Sequence, residues 1–476
     1  MNQGRNFPKL FTLALVVSAT LMLSSCASFY QKTIAVQENI AAGDFQSAIK
    51  ELEKNKKWPE NNHRVLYYMN RGLVHFMLGE NEESNSYFNM ADYYIEDYRK
   101  SIGTEALALV SNPMVRPYRP EDFEAIMIHF YKAFNYIAMY DYESAIVECR
   151  RINIRLMEFN EDYKENKSRY ARDAFAHNLM GLIYQATGDY NNAFIAYRNA
   201  LDIYENEYSE LFGVQPPQQL KLDLLYCARK TGFHNELRYY EDKFALSAPE
   251  MLSGNGDLVY IWMNGMGPVK SEWSLNLTNM GVSGGQMIFG SNELGLSYPI
   301  FLGNQSASSQ AQLKDLSLIR LAFPKYVERP LAFSEAQLVH GNQQYKLELA
   351  QNINGIAFQS LKDRMMREIG NNILRIATKQ AIEQITRNEN ENLGALVSIV
   401  NAVTEKADTR NWQSLPYALY YTRVQLPAGE QTLTLQQRRI QGKVENEDIN
   451  VKIESGLTTF RIFPQLESAP LPAGSY

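Results

Sequence analysis

Two textures divide this chain. From Tyr30 to about Ala248, apolar residues recur at the three-to-four spacing of amphipathic helices. Beyond Pro249 they alternate or gather into short runs bounded by Gly, Asn, Ser and Pro, the pattern of strands and turns. The Ser253-Gly254-Asn255-Gly256 stretch reads as the linker between the two. Strands are predicted at Leu258–Met263, Trp273–Leu277, Leu296–Leu302, Leu316–Phe323, Ala332–Val339 and Tyr345–Ala350, and again at Tyr417–Gln425, Gln431–Gln436, Ile449–Ile453 and Thr458–Phe463. Between these groups, from about Asn354 to Arg387, Phe358, Leu361, Met365, Ile369, Ile373, Ile376 and Ile385 return to the helical period, and a second helix is predicted over Leu393–Ala407. Lys362, Arg364, Arg367 and Lys379 make this 354–407 insert a packed amphipathic pair rather than a membrane hairpin. Pro427-Ala-Gly429-Glu reads as a hairpin turn.

The helical half repeats itself. In the clearest unit, Gly181, Tyr184, Gly188, Ala193 and Tyr197 fall where a tetratricopeptide repeat places small residues at helix contacts, a turn glycine, and aromatics between helices. A second unit carries Gly72, Gly79, Ser84, Phe88 and Ala91. A third carries Ala133, Tyr136 and Ala145, with Tyr140 in place of the turn glycine. Gly43 to Ala48 and Gly232 to Leu237 are partial copies. The marker positions Ala48, Ser84, Ala145, Ala193 and Leu237 are spaced by 36, 61, 48 and 44 residues. A tight repeat would hold about 34 throughout, so longer helices or inserted segments are expected near Tyr93–Pro120 and Asn153–Arg172. The expected fold class is α+β multidomain. An α-solenoid of tetratricopeptide-like helix pairs over 26–248 is followed by a β-sandwich-like domain over 254–476 with the helical-hairpin insert.

The N-terminus carries an address. Arg5 and Lys9 precede an apolar run from Leu10 to Leu23, too short to span a bilayer and of signal-peptide length. Leu23-Ser24-Ser25-Cys26 then resembles the bacterial lipoprotein box, which implies a signal peptide over 1–25 and acylation of the Cys26 thiol, with palmitate among the chains. Ala27, where an acidic residue would favour inner-membrane retention, implies the outer membrane, facing the periplasm. Loss of Arg5 and Lys9 would take the formal net charge from −6 to −8. Across 476 residues, 47 Lys and Arg stand against 53 Asp and Glu, so no basic footprint for nucleic acid is present. Cys149 and Cys227 lie in helical patterns and read as small core residues, with a disulfide as the alternative.

Candidate chemistry is sparse. The six histidines show neither an HExxH motif nor paired metal-ligand spacing, no Gly-x-Ser-x-Gly elbow occurs, and the phosphate-cradling Gly-x₄-Gly-Lys-Ser/Thr pattern is missing. No cofactor or metal is expected. Two segments are unusual: Asn264-Gly265-Met266-Gly267-Pro268-Val269-Lys270, read as a tight strand-to-strand turn, and Asp408 to Pro416. In the second, Asp408 and Arg410 would pair across the helix exit and Trp412 would pack into the sandwich seam. Both segments are expected to be structural corners, with ligand or partner contact as the alternative. Thirty tyrosines are the compositional oddity, and Tyr67, Tyr68, Tyr93, Tyr94, Tyr131, Tyr136 and Tyr140 are candidates either for helix packing or for gripping a peptide or sugar.

The lipobox, the helical first half and the order of the two segments together resemble a family of uncharacterised Gram-negative lipoproteins. Some of its members appear beside lipoprotein activators of peptidoglycan synthases, which implies an envelope context. The expected function is therefore a non-enzymatic, lipid-anchored periplasmic adaptor. It would bind envelope protein partners in the solenoid groove, in envelope assembly or peptidoglycan synthesis. The alternatives are a glycan-binding lipoprotein and, more distantly, a hydrolase with its site at the junction of the two halves.

Overall fold

The computed structural model describes residues 29–100, 114, 116–163, 167–283, 286–291, 296–301, 318–365, 407–469 and 471–472. Among the described residues, ten helices of ten residues or more in the first half form five antiparallel pairs: α1 (Phe29–Ala41) with α2 (Phe45–Lys54), α3 (Arg64–Leu78) with α4 (Asn81–Lys100), α5 (Asp122–Ala138) with α6 (Tyr142–Asp162), α7 (Ala174–Ala186) with α8 (Tyr190–Ile203), and α9 (Gln218–Thr231) with α10 (His234–Phe244). Local chemistry sets each turn. Asp44, Asp141 and Asp189 cap α2, α6 and α8 by accepting the backbone N–H three residues on. Ala48, Ser84, Ala145 and Ala193 each occupy the fourth position of a second helix and are fully buried. Gly181 lies under the Tyr197 ring, so close that a Cβ there would sit 2.3 Å from it, and Gly72 lies likewise under Phe88 at 2.7 Å. Ser84 Oγ donates to the Gly72 carbonyl at 2.8 Å, tying the same pair of helices. Ala133 is buried at the matching place on α5. The uneven spacing comes partly from α4 and α6, which run to 20 and 21 residues.

Tyr140 stands at the left-handed turn position with φ 61°, where Gly79 and Gly188 have 75° and 79°. A residue with a Cβ is strained there by about 1–2 kcal/mol, and the Tyr140 side chain is mostly exposed. Tyr140→Gly should therefore raise stability by about 1 kcal/mol in chemical denaturation. A loss instead would mean that the Tyr140 ring, 6.5 Å from that of Tyr142, contributes more than the strain costs.

Among the described residues, the second half holds three four-stranded sheets. The first has the order β12 (Thr458–Gln465), β1 (Asn255–Met266), β9 (Pro416–Pro427), β8 (Glu348–Gln351). The second has the order β11 (Val444–Ile453), β10 (Gly429–Arg439), β6 (Phe333–His340), β7 (Gln343–Lys346). The third has the order β4 (Leu296–Phe301), β3 (Gln286–Ser291), β2 (Val269–Ser283), β5 (Leu318–Val327). The first sheet is the middle layer of the molecule. Leu258, Tyr260 and Trp262 of β1 share a core with Leu338, Leu433, Leu435 and Ile449 of the second sheet. Val259, Ile261 and Met263 belong instead to the core of the helices. This two-sided burial explains why β1 reads as a continuous apolar run rather than an alternation.

Two expectations are corrected here. Pro427 to Glu430 is not a hairpin turn: β9 belongs to the first sheet and β10 to the second, so Gly429, at φ 115°, takes the chain across the sandwich core between them. Asn264 and Gly265 are inside β1 rather than in a turn. Only Gly267-Pro268 separates β1 from β2, and these strands pair in different sheets. Residues 353–365 are helical as the insert predicted, and the remainder of the insert up to 406 lies outside the described residues.

Candidate functional site

A solenoid groove is lined by the first helix of each pair, and here each first helix meets the chain's own second half. Thr33 and Gln37 of α1 donate to Gln413. Asn70 of α3 accepts from Ser414 at 2.7 Å. Glu124 of α5 accepts the Trp412 backbone N–H at 2.8 Å, and Tyr131 packs its ring 5.7 Å from that of Trp412. Asp173, which caps α7, accepts from Gln351 at 2.7 Å. Asp223 of α9 pairs with Arg423 at 2.9 Å. The groove expected to hold a partner is thus filled from within. Thr33, Gln37, Asn70, Glu124, Asp173 and Asp223 form the polar half of an internal seam.

The two unusual segments meet in that seam. Asn411 accepts from the Lys270 backbone N–H at 3.1 Å and donates to the Pro268 carbonyl at 2.9 Å. Gly267 donates to the Leu415 carbonyl at 2.7 Å. Asn264 donates to the Phe333 carbonyl at 3.0 Å, while Gly265, at φ 61°, faces Leu331 so closely that a Cβ would meet it at 2.4 Å. Asp408 and Arg410 form a two-point ion pair at 2.9 and 2.7 Å, and Arg410 also donates to the carbonyls of Asn62 and Arg116. Trp412 lies between sheet and helices, against Phe88 and Tyr131, rather than between the two sheets of the sandwich as expected. The sheet-to-sheet core holds Trp262 and Tyr260, whereas Trp412 joins the core of the helices, where Phe88 and Tyr131 form an aromatic wall.

Beside them is a buried charge cluster that no sequence signal revealed. Lys270 and Arg364 each reach Glu121 at 2.5 Å. Burial opposes ionisation of Glu121, but the two cations overcome it and hold its carboxyl at about 2. Burial pushes Glu124 upward, and it accepts from Tyr118 and from the Glu121 backbone N–H. Lys270, Glu121, Glu124 and Tyr118 are buried and Arg364 is partly exposed, and the cluster ties the two halves together. Among the described residues no group of three or more His, Cys, Asp and Glu is placed to hold a metal ion. His129 bonds Glu148 at 2.7 Å within the helical core. Cys149 and Cys227 are buried free thiols, pushed upward by burial.

The tyrosines divide. Tyr131 is in the seam, Tyr136 is half-buried, and Tyr140 is exposed at its turn. Tyr67 and Tyr68 of α3 join Tyr87, Tyr93, Tyr94 and Tyr98 of α4 on one outward surface. Tyr93 is 62% exposed and the other five are half-buried. Tyr68 stacks on Tyr94 at 5.7 Å and on Tyr87 at 6.3 Å. Arg64 lies over Tyr94 at 4.5 Å on this surface, and the buried Arg71 packs on Tyr87 at 4.8 Å. Arg71 is pinned by Glu53 at 2.6 Å and by the Tyr87 hydroxyl at 2.9 Å. Burial raises the Tyr67 and Tyr68 hydroxyls above their usual value, leaving neutral donors at pH 7. Tyr87 and Tyr98 went unnoticed in the sequence, although a helical wheel would place Tyr87, Tyr94 and Tyr98 on one stripe.

No family model and no curated protein matches the chain. Solved structures resemble part of it. The apo form of RapI is 16% identical over 45% of this chain and 68% of its own, with a TM-score of 0.32. MamA is 15% identical over 46% of this chain and 96% of its own, with a TM-score of 0.28. Kinesin light chain TPR-like repeats from Podosopora anserina are 12% identical over 45% of this chain and 91% of their own, with a TM-score of 0.29. These are helical-repeat proteins.

Proposed function

We propose that the chain is a non-enzymatic adaptor of the cell envelope. In this reading it is acylated at Cys26, held at the outer membrane on the periplasmic side, and binds a protein partner such as a factor of envelope assembly or peptidoglycan synthesis. The observation that carries the binding role is the tyrosine–arginine surface of α3 and α4. Tyr and Arg dominate the energetics of protein interfaces because they bury large areas while keeping a polar edge. This surface takes no part in the seam that fills the groove, so the partner is assigned to the outer side of the array. The lipobox supports the anchor.

A photo-cross-linking residue placed at Tyr93 in cells tests this. Tyr93 should capture a defined envelope protein, and the same residue at Tyr239, also exposed at 60%, should not. Tyr68→Ala should weaken capture by a hot-spot amount, about 2 kcal/mol or roughly thirtyfold. Equal products at both sites, or none at Tyr93, would defeat the adaptor reading. A glycan adduct at Tyr93 would transfer the surface to the sugar-binding alternative.

A further inference from the structure

The start of α1 and the end of α2 form one end of the helical array, and that end is basic. The two helices run antiparallel, so the residues that leave α2 return level with Phe29. Trp58 stacks on Phe29 at 6.4 Å and on His63 at 5.4 Å between ring centres. Lys56 and Lys57 directly precede Trp58, and Lys32 lies about one turn after Phe29; all three are exposed. Burial, then the charges of Arg410 and Lys32, lowers the His63 imidazole to about 4, so the Lys32 ammonium is within reach of the same rings. Among the described residues, none of these three lysines has an ion-pair partner. The acids at this end are mostly spoken for: Glu51 by Lys54 at 2.5 Å, Glu53 by Arg71 at 2.6 Å, and Asp408 by Arg410 at 2.7 Å. Glu60, also exposed, stands against the three lysines and against Arg64, which donates to the Pro59 and Glu60 carbonyls. Glu38 and Asp44 lie toward the other end of the pair.

Chain length ties this end to the anchor. Only three peptide steps separate Cys26 from Phe29, a reach of at most about 11 Å. An acylated Cys26 would therefore keep Phe29, Trp58 and the lysines around them near the headgroups, with no long tether to let them turn away. Salt screens charges separated by more than about 8 Å under physiological conditions, so the short reach is what brings the lysines into the field of a charged bilayer. Phe29 and Trp58 are themselves buried against the helices, which makes the contact one of charge with headgroups rather than of insertion. The whole chain has a formal net charge of −6, so an anionic surface repels most of it and favours the basic end.

Resting on the Cys26 anchor, we infer that Lys32, Lys56 and Lys57 form a headgroup-binding patch that holds this end of the array against the phosphates of anionic lipid. The test uses the full acylated protein on vesicles of phosphatidylethanolamine and phosphatidylglycerol, with phosphatidylcholine vesicles for comparison. Brief acetylation followed by peptide mass spectrometry reads each lysine separately. Lys32, Lys56 and Lys57 should be protected about fivefold on the anionic vesicles, the attraction of one lysine to such a surface, and high salt should abolish the protection. Lys443 and Lys452, exposed at the second sheet, should react equally on both kinds of vesicle. Inorganic phosphate added to the phosphatidylcholine vesicles should protect none of the three, and protection by it equal to that of the lipid would overturn the lipid assignment. Uniform reactivity, or protection that extends equally to Lys443 and Lys452, while Cys26 carries its diacylglycerol by mass spectrometry, would overturn the patch. Absence of that mass would instead overturn the anchor, and the patch that rests on it would fall with it.

Discussion

Replacing Trp412 by alanine should cost about 4 kcal/mol, the middle of the range for truncating a buried aromatic. The ring is 1% exposed and contacts Phe88 of α4 and Tyr131 of α5. Its backbone N–H to Glu124 survives the substitution, so the loss reports the ring alone. Helices and sheet share the core that Trp412 joins, so both halves should weaken together. Circular dichroism at a helical wavelength and proteolysis within the second half should show one common shift in denaturant midpoint. Trp412→Phe should recover about half of the loss. A cost below about 1 kcal/mol, or a shift confined to one half, would show that the halves are stabilised separately.

Arg423→Met is the second large effect. One guanidinium serves two buried carboxylates, Asp223 at 2.9 Å and Asp257 at 2.9 Å. Burial pushes the Asp223 carboxyl up to about 6 even with Arg423 beside it. Removing the cation leaves two uncompensated buried charges, and breaking such a pair costs about 3–5 kcal/mol. The sign with pH follows from the raised value. A carboxyl whose folded pKa lies above its unfolded 3.8 favours folding below that value, and the benefit is lost as pH rises through about 6. Wild type should therefore lose stability between pH 4 and 7 through this group, and Arg423→Met should be far more destabilised at pH 7.5 than at pH 5. Asp223→Asn, which leaves Arg423 and Asp257 paired one to one, should remove most of that dependence. An Arg423→Met penalty independent of pH would mean that the carboxylates are solvated and the cluster is open.

Much of the helical half was legible from the chain alone, because its determinants are local. The Asp caps, the turn glycines and the small residues under Phe88 and Tyr197 act within one helix pair, where spacing in sequence is spacing in space. The displaced Tyr140 could be read for the same reason. The strands were visible as apolar runs, but their partners were not: β1 pairs in parallel with β12, Asp257 opposite Thr458, and antiparallel with β9. Hydrophobic period records that a face is buried and says nothing of what buries it.

The candidate surface shows the same division. Thirty tyrosines stood out in the composition, but only the fold separates Tyr131, buried against Trp412, from Tyr68 and Tyr94 on the outside. Glu124, Asp173 and Asp223 resemble ordinary acids of a solvated helix until Trp412, Gln351 and Arg423 arrive from more than a hundred residues away. Sequence by itself determined the helix pairs and the β-rich second half, each of which is written in neighbouring residues. Tertiary structure decided that the groove is filled by the chain itself, because polar complementarity across a seam exists only once both sides are folded and desolvated together.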